Sequence, residues 1–276
     1  MLLGMTQCDE QPDPWKLGIC RANGIDIHYR RTGKDKPPLV ALHGLMGSGA
    51  CLLPLAEGLE AGFDVILPDA RGHGKSSALA AGHGYDELAR DIRGLIEALA
   101  LIAPILVGHS MGGMTATVAA SELGAALRAL VLIDPTFISP ERQREVYESN
   151  VAAEHRRSIQ AAREDLIDEA QRRCPNRPAD LIARLVDARL RTSPAAFEVL
   201  TPPNPDWEEL IANIAAPILL LIGDRGIVSL DTARHLRSLN PRLRYAVISD
   251  AGHGLPYDRP AELCAAIRAF LEEGNI

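Results

Sequence analysis

Residues 104–114 read Pro-Ile-Leu-Val-Gly-His-Ser-Met-Gly-Gly-Met, an apolar run that passes into the pattern Gly-x-Ser-x-Gly and is followed by alanine-rich, helix-like sequence. A serine at a tight turn from strand into helix needs glycine two residues to either side, because the backbone is strained and the helix packs close. Gly108 and Gly112 meet that need around Ser110. The stretch predicts a nucleophile at the carboxyl end of a strand, beside a helix amino terminus that stabilises negative charge. The alternative is a glycine-rich turn whose serine has no chemical part.

The composition excludes several classes of protein. The chain has 276 residues, 47% of them hydrophobic, and a formal net charge of −7. That length fits one large α/β domain, and the negative charge argues against a nucleic-acid partner or an anionic membrane surface. No apolar run approaches the roughly 18 residues of a membrane span. We therefore expect a small-molecule substrate as the partner. The sequence is also compatible with a homodimer.

The cysteines and the other possible metal ligands form no recognisable site. Five cysteines stand at positions 8, 20, 51, 174 and 264. An odd number without close spacing argues against a disulfide framework and a zinc ribbon, so we expect reduced thiols and a cytoplasmic location. The acidic, proline-broken amino-terminal stretch is unlike a secretion signal. Residues 44–49 lack the Gly-Lys-Ser/Thr of a phosphate-binding loop, so the sequence predicts neither a metal nor a cofactor.

Short apolar strands alternate with amphipathic helices along most of the chain. We expect eight strands, at residues 17–22, 25–31, 39–43, 63–68, 105–107, 127–133, 218–222 and 244–248, with a hairpin turn at Asn23-Gly24. This alternation predicts a doubly wound, mostly parallel α/β sheet with an antiparallel start. Residues 1–16 are expected to form a flexible tail. Residues 139–206 have helical periodicity only, and they are expected to form a helical cap on a core of residues 17–138 and 207–276.

Four motifs in a fixed order carry a resemblance to a known family. They are His43-Gly44, Asp-x-Arg-Gly-His-Gly-x-Ser at residues 69–76, the serine turn at residues 108–112, and Ala251-Gly252-His253. Over residues 17–273 the chain resembles the α/β-hydrolase superfamily, and within it the cytosolic esterases, lactonases and carbon–carbon bond hydrolases with a helical cap. The resemblance implies the α/β-hydrolase fold, an eight-stranded sheet with the cap inserted after the sixth strand.

The resemblance also implies roles for individual residues. Ser110 would be the nucleophile, and His253 the general base that later protonates the leaving group. The backbone N–H groups of Leu45 and Met111 would form the oxyanion hole. His43 and His109 are candidate substrate-binding residues. We expect His43 rather to support the loop that carries Leu45, and His109 to be a structural or rim residue.

The acid of the triad is ambiguous. After the seventh strand the usual family pattern is Gly-x-x-Asp, whereas this chain has Gly226 where the acid is expected and Asp224 two residues earlier. Some members, the haloalkane dehalogenases among them, carry the acid after the sixth strand and often read Gly-x-x-Gly with two apolar residues after the seventh. Residues 223–228 resemble that version, and Asp134 ends the sixth strand. We favour Asp134 and keep Asp224 as the alternative, since Asp-Pro at a strand end is also a plain turn signal.

The chemistry implied by these residues defines a reaction class. A serine nucleophile with an oxyanion hole implies acyl transfer to water, so we expect a hydrolase of small or medium carboxylic esters or lactones. The alternatives are a carbon–carbon bond hydrolase, a non-hydrolytic enzyme of the perhydrolase or cofactor-free oxygenase type, and a ligand receptor. Phe137 and Tyr147, aromatic residues in or next to the cap, are expected to line the pocket or to pack beneath the cap.

Overall fold

The computed structural model describes residues 15–33 and 35–274. The strands within these residues are β1 (Lys16–Ala22), β2 (Ile25–Arg31), β3 (Pro38–Leu42), β4 (Asp64–Pro68), β5 (Ile105–His109), β6 (Ala129–Ile133), β7 (Ile218–Arg225) and β8 (Leu243–Gly252). They form one sheet in the order β1-β2-β4-β3-β5-β6-β7-β8. β2 pairs antiparallel with β1 and β4, and the remaining neighbours are parallel. The predicted mostly parallel sheet with an antiparallel start is confirmed.

Helices connect the strands and cover the sheet on both sides. The α-helices of the described residues are α1 (Leu53–Glu57), α2 (Tyr85–Ala98), α3 (Met111–Leu123), α4 (Pro140–Glu148), α5 (Val151–Ser158), α6 (Arg163–Arg173), α7 (Ala179–Leu190), α8 (Trp207–Asn213), α9 (Leu230–Leu239), α10 (Leu255–Asp258) and α11 (Pro260–Glu273). None of these helices combines the length and the apolar character needed to cross a membrane.

The central strands are short and aliphatic because they are buried on both faces. In β5, Leu106 packs into the cluster formed with α2, α3, α8 and α9, whereas Ile105 and Val107 pack into the cluster formed with α1 and α11. Alternate residues of β6 divide between the two clusters in the same way. The two layers of core therefore fix the register of β5, whose carboxyl end carries the serine turn.

The carboxyl ends of the parallel strands bring distant parts of the sequence together at one edge of the sheet. β5 lies between β3 and β6, and β8 follows β7 at the end of the sheet. The loops after β3, β5, β6 and β8 therefore open on the same edge, where ligands of such sheets bind. These loops contain Gly44, Ser110, Asp134 and His253.

The insertion (residues 139–206) contains α4 to α7 and a 3₁₀ segment, Pro194–Leu200. It is attached to loops that follow β3, β4 and β8. The contacts are Cys51 Sγ with the carbonyl oxygen of Arg184 (3.7 Å), Ser193 N–H with that of Gly72 (2.7 Å), and Arg177 Nε with Asp258 Oδ1 (2.7 Å). Since these loops leave the carboxyl ends of their strands, the insertion contacts the edge of the sheet that carries Ser110.

Some element boundaries differ from those that the sequence predicts. Of the predicted tail, residues 1–14 lie outside the described part of the chain, while Trp15 is buried and Lys16 begins β1. β7 and β8 extend to Arg225 and Gly252, beyond the predicted apolar runs, because their polar ends still pair across an irregularity. These extensions carry the paired strands up to the loop that holds His253.

A buried ion pair fastens the antiparallel strand β2 to β4. The Arg31 Nε–H donates to both Asp64 carboxylate oxygens, at 3.1 and 2.9 Å, and the Gly33 N–H donates to Oδ1 at 3.1 Å. The Asp64 side chain is only 1% exposed. A buried charge of this kind is tolerated because every partner is present, and removing one partner leaves the other uncompensated.

We predict that Asp64→Ala lowers the free energy of unfolding by about 3 kcal/mol, because the Arg31 guanidinium stays buried without its carboxylate. Chemical denaturation followed by circular dichroism measures the change. Asp26→Ala is the matched control, since Asp26 also pairs with an arginine of the first hairpin, Arg21, but on the exposed surface. Asp26→Ala should lower the free energy of unfolding by no more than about 0.5 kcal/mol. Equal losses in the two variants would contradict the prediction.

Candidate active site

Ser110 stands at the turn between β5 and α3. Its φ and ψ are 55° and −121°, a conformation that non-glycine residues rarely adopt and that costs free energy. A side chain at Gly108 would collide with the backbone of Gly112 and Gly113, and one at Gly112 with the carbonyl oxygen of Leu42. The two glycines therefore let α3 start directly against the sheet, and the strained turn holds Ser110 ahead of the helix.

The structure brings Ser110, His253 and Asp134 into one chain of hydrogen bonds. His253 Nε2 is 2.9 Å from Ser110 Oγ, and His253 Nδ1 is 2.7 Å from Asp134 Oδ2. An ionised carboxylate only accepts, so Nδ1 carries the proton and Nε2 is free to accept from the serine hydroxyl. The Asp134 side chain is 0% exposed and the His253 side chain is 38% exposed. This is the geometry of an activated serine, in which a carboxylate orients the base.

Backbone amides complete the surroundings of the Asp134 carboxylate. The N–H groups of Ile227 and Val228 donate to Oδ2 and Oδ1, each at 2.9 Å. A Cβ at Gly226 would lie 2.6 Å from Asp134 Oδ1, so no side chain fits there while the carboxylate keeps its place. The Gly-x-x-Gly sequence at the end of the seventh strand therefore leaves the space that an acid placed after the sixth strand needs.

Asp224, the alternative acid, faces a different partner. Its carboxylate accepts from the N–H groups of Asp250 and Ala251, at 2.8 and 3.0 Å. The hydrogen bond from the Asp250 N–H is the main cause that holds the pKa of Asp224 below its usual range. Asp224 thus closes the irregular ends of β7 and β8, and the structure brings Asp134, not Asp224, to His253.

The N–H groups of Leu45 and Met111 are both available at this edge. Neither donates to an acceptor elsewhere in residues 15–33 and 35–274. Gly44 lies so close to the serine that a Cβ there would be 3.1 Å from the Ser110 Cβ. Met111 is the first residue of α3, where the helix leaves its N–H groups unpaired. The arrangement can therefore stabilise an oxyanion formed next to Ser110.

Two buried histidines hold the loop that carries Leu45. The His43 Nδ1–H donates to the carbonyl oxygen of Gly44 at 2.8 Å, and the Ala70 N–H donates to His43 Nε2 at 3.0 Å. The Met46 N–H donates to His73 Nε2 at 3.4 Å, where Met46 has φ 63°. Burial lowers the pKa of His43 and lowers the pKa of His73 to about 3, so both rings are neutral at physiological pH. The structure places His43 in support of the loop, with both of its ring nitrogens engaged by backbone.

His109, the other candidate histidine, lies beside His253. The two ring centroids are 4.8 Å apart, and the His109 Nε2–H donates to the carbonyl oxygen of His253 at 2.8 Å. Burial lowers the pKa of His109 to about 3, so the ring stays neutral next to His253. His109 Nδ1 is buried and has no hydrogen-bond partner among the residues that the structure describes.

The two aromatic candidates have different surroundings. Phe137 is buried and stacks on Trp207, with centroids 5.3 Å apart and an interplanar angle of 11°. Tyr147, in α4, is 54% exposed. Within the described residues, no hydrogen bond or ring contact joins either side chain to Ser110 or His253. The predictions for Phe137 and Tyr147 were based on residue type alone. The sequence did not single out Arg177 and Tyr257, which lie near His253 in the fold.

Known proteins are similar to this chain over most of its length. A family model described as the alpha/beta hydrolase fold matches residues 37–260. The chain is 30% identical to N-formylmaleamate deformylase from Pseudomonas putida over 260 residues, which cover 92% of this chain and 96% of that protein. It is 29% identical to 2-(acetamidomethylene)succinate hydrolase from Mesorhizobium japonicum, over 90% of this chain and 92% of that one.

Solved structures show the same fold. The crystal structure of an E-2-(acetamidomethylene)succinate hydrolase superposes with a TM-score of 0.79 at 25% identity, over 94% of this chain and 99% of that one. The N-formylmaleamic acid deformylase from Pseudomonas putida superposes with a TM-score of 0.78 at 24% identity, over 91% and 100% of the two chains. The family match spans most of the chain, and its four motifs converge on one edge of the sheet. The protein belongs to the α/β-hydrolase family and is a hydrolase.

Proposed function

We propose that the protein is a serine hydrolase that cleaves a small or medium carboxylic ester or lactone through an acyl-enzyme. The observation that carries the proposal is the hydrogen-bonded series from Ser110 Oγ through His253 to the buried Asp134 carboxylate. In this proposal Ser110 is the nucleophile, His253 the general base and Asp134 the acid that orients it.

Acylation begins when His253 Nε2 takes the proton of Ser110 Oγ as the oxygen attacks the carbonyl carbon. The carbonyl oxygen becomes an oxyanion, which accepts hydrogen bonds from the N–H groups of Leu45 and Met111. The amino terminus of α3 adds the positive end of its dipole. His253 then gives its proton to the leaving oxygen as the carbon–oxygen bond breaks, which leaves the acyl group on Ser110.

Deacylation repeats these steps with water as the nucleophile. His253 Nε2 takes a proton from water as the water oxygen attacks the acyl carbon. His253 then gives that proton to Ser110 Oγ as the bond between Oγ and the acyl carbon breaks, which releases the carboxylic acid. Asp134 keeps its charge throughout and stabilises the imidazolium that forms in each half-reaction. Its burial strengthens this effect, because the carboxylate and the ring interact with little screening by water.

We propose further that the insertion serves as a cap that closes the site around a small-molecule substrate. Its attachments to the loops after β3, β4 and β8 support this role. A cover of this kind excludes water and determines which acyl and leaving groups fit. Phe137 lies where the chain leaves the core for the insertion, and its stacking on Trp207 supports a structural part at the base of the cap.

A second candidate reaction is the hydrolysis of an N-acyl compound. The two relatives described above have names that contain a formyl and an acetamido group, and each aligns with nine-tenths or more of this chain. The same residues would serve, with His253 protonating a leaving nitrogen instead of an oxygen. A panel that compares p-nitrophenyl acetate and small lactones with N-formyl and N-acetyl enamides of the same size separates the two reactions.

We predict that a fluorophosphonate probe labels the wild-type protein and that Ser110→Ala abolishes labelling. Hydrolysis of p-nitrophenyl acetate and butyrate should fall at least about 1,000-fold in the same variant, since only binding and the oxyanion hole remain. Gel fluorescence measures the labelling, and activity assays with the two p-nitrophenyl esters measure the hydrolysis. Ser121→Ala, which changes a serine at the other end of α3, is the control. Absence of labelling in the wild type would refute the nucleophile.

Asp134→Asn should lower kcat by about 1,000- to 10,000-fold, because an amide at this position favours the wrong imidazole tautomer. Asp224→Asn should change kcat by less than about fivefold, since its carboxylate only accepts from two backbone N–H groups at the surface. Steady-state kinetics on the best ester of the panel compare the variants. If the order of the two losses were reversed, Asp224 would be the acid.

Gly226→Ala should lower kcat by about 10- to 100-fold while the protein stays folded, because the added methyl group displaces the Asp134 carboxylate from His253. Gly62→Ala is the control, since the nearest atom to a Cβ at that position is at 4.0 Å. The measurements are kcat for each variant and its thermal midpoint. Wild-type kcat in Gly226→Ala would show that the close fit around Asp134 has no catalytic consequence.

A further inference from the structure

Arg177, in the turn between α6 and α7 of the insertion, reaches the core next to His253. Its Nε is 2.7 Å from Asp258 Oδ1 and its Nη2 is 3.0 Å from Asp258 Oδ2, so the guanidinium and the carboxylate form a two-pronged pair. The guanidinium carbon lies 5.5 Å from the centroid of the Tyr257 ring. We call Arg177, Tyr257 and Asp258 the clasp. Two parallel hydrogen bonds and a cation–π contact fix both the distance and the direction of the contact.

The clasp packs against the residue that directly follows His253. A Cβ at Gly254 would lie 2.6 Å from Arg177 Nη2 and 2.8 Å from Asp258 Oδ2, so the pair fills the space above this glycine. The N–H groups of Tyr257 and Asp258 donate to the carbonyl oxygen of Gly254 at 2.9 and 3.0 Å. A displacement of Asp258 is therefore transmitted to Gly254 through the short helix α10, and His253 is one peptide away.

A second path joins the clasp to His253 through His109. The Tyr257 ring packs edge-on against the His109 ring, with centroids 5.6 Å apart. His109 in turn lies against the His253 ring and donates to its carbonyl oxygen. His253 itself is partly exposed and sits in a loop, so its position depends on these neighbours. The clasp supports this loop from the side of the insertion.

We propose that Arg177 is a positioning residue for His253, so that the docked insertion completes the geometry of the general base. The proposal rests on the serine hydrolase function proposed above. A general base must lie within hydrogen-bond reach of the proton it takes, and a misplacement of about 1 Å costs on the order of 100-fold in rate. Because Arg177 acts through the loop and not on the substrate, its loss lowers kcat and leaves KM nearly unchanged.

The test measures kcat and KM for Arg177→Met, which keeps the length of the side chain but removes its charge and both hydrogen bonds. We expect kcat to fall about 10- to 100-fold and KM to change by less than about threefold. Arg177→Lys keeps the charge but cannot form two parallel hydrogen bonds with Asp258. Its kcat should lie between those of Arg177→Met and the wild type. The double exchange Arg177→Asp with Asp258→Arg restores the pair in reverse and should recover kcat to within about fivefold of the wild type.

Arg163→Met is the matched control. Arg163 forms the same two-pronged pair with Asp187, at 2.6 and 3.0 Å, but both residues belong to the insertion. The kcat of Arg163→Met should stay within about twofold of the wild-type value. Amide hydrogen exchange at residues 254–259 supplies an independent readout, and it should become faster in Arg177→Met and remain unchanged in Arg163→Met.

The outcomes separate this inference from the proposed function. Wild-type kcat in Arg177→Met, in a protein that the fluorophosphonate probe labels, would overturn the positioning role alone. A raised KM with unchanged kcat would also overturn it, since Arg177 would then bind substrate. No labelling of the wild type would instead refute the serine hydrolase. Equal losses of kcat in Arg177→Met and Arg163→Met would show that the loss comes from a less stable insertion. That result would also overturn the inference.

Discussion

The fully buried carboxylate of Asp134 is the constraint on which the arrangement of the site depends. A carboxylate without access to water is stable only when its oxygens accept enough hydrogen bonds, and here the donors are His253 and the N–H groups of Ile227 and Val228. Those donors come from the ends of β7 and β8, whereas Asp134 follows β6. The hydrogen bonds that the Asp134 carboxylate needs thus hold the ends of β6, β7 and β8 together. They also fix the position of His253 relative to Ser110.

Three residues at the same edge of the sheet have strained backbone conformations. Ser110, Asp134 and Met46 have φ values of 55°, 39° and 63°, all in the region that favours glycine. Each such conformation costs about 1–3 kcal/mol and persists only where the surroundings determine it. The surroundings here are the two-sided aliphatic core beneath β5 and β6 and the histidines that hold the loop after β3. The sheet therefore maintains three unfavourable turns, and two of them place the Ser110 hydroxyl and the Asp134 carboxylate on opposite nitrogens of the His253 ring.

Most of the fold and part of the site could be predicted from the sequence, and the division has a physical reason. Strand positions follow from local apolar runs, and the serine turn follows from glycine spacing, so both are encoded within a few residues. The preference for Asp134 rested on Gly226, whose missing side chain is a local sign of a distant carboxylate. The roles suggested for Phe137 and Tyr147 rested on residue type alone, and the structure buries one against Trp207 and leaves the other half exposed. The Arg177–Asp258 pair joins residues 81 positions apart, and nothing local distinguishes Arg177 among the arginines of the insertion.

The histidines around Ser110 show how one fold keeps a single ring available for proton transfer. His43, His73 and His109 are buried, and removal from water disfavours their charged forms, so the pKa of each is lowered. A neutral ring can still donate through one nitrogen and accept through the other, and His43 and His73 use both to hold backbone. His253 differs in two respects, since it is partly exposed and its Nδ1 faces a carboxylate. In the proposed mechanism Nε2 of this ring takes the proton of Ser110, while the neighbouring rings stay neutral and keep the loops in place.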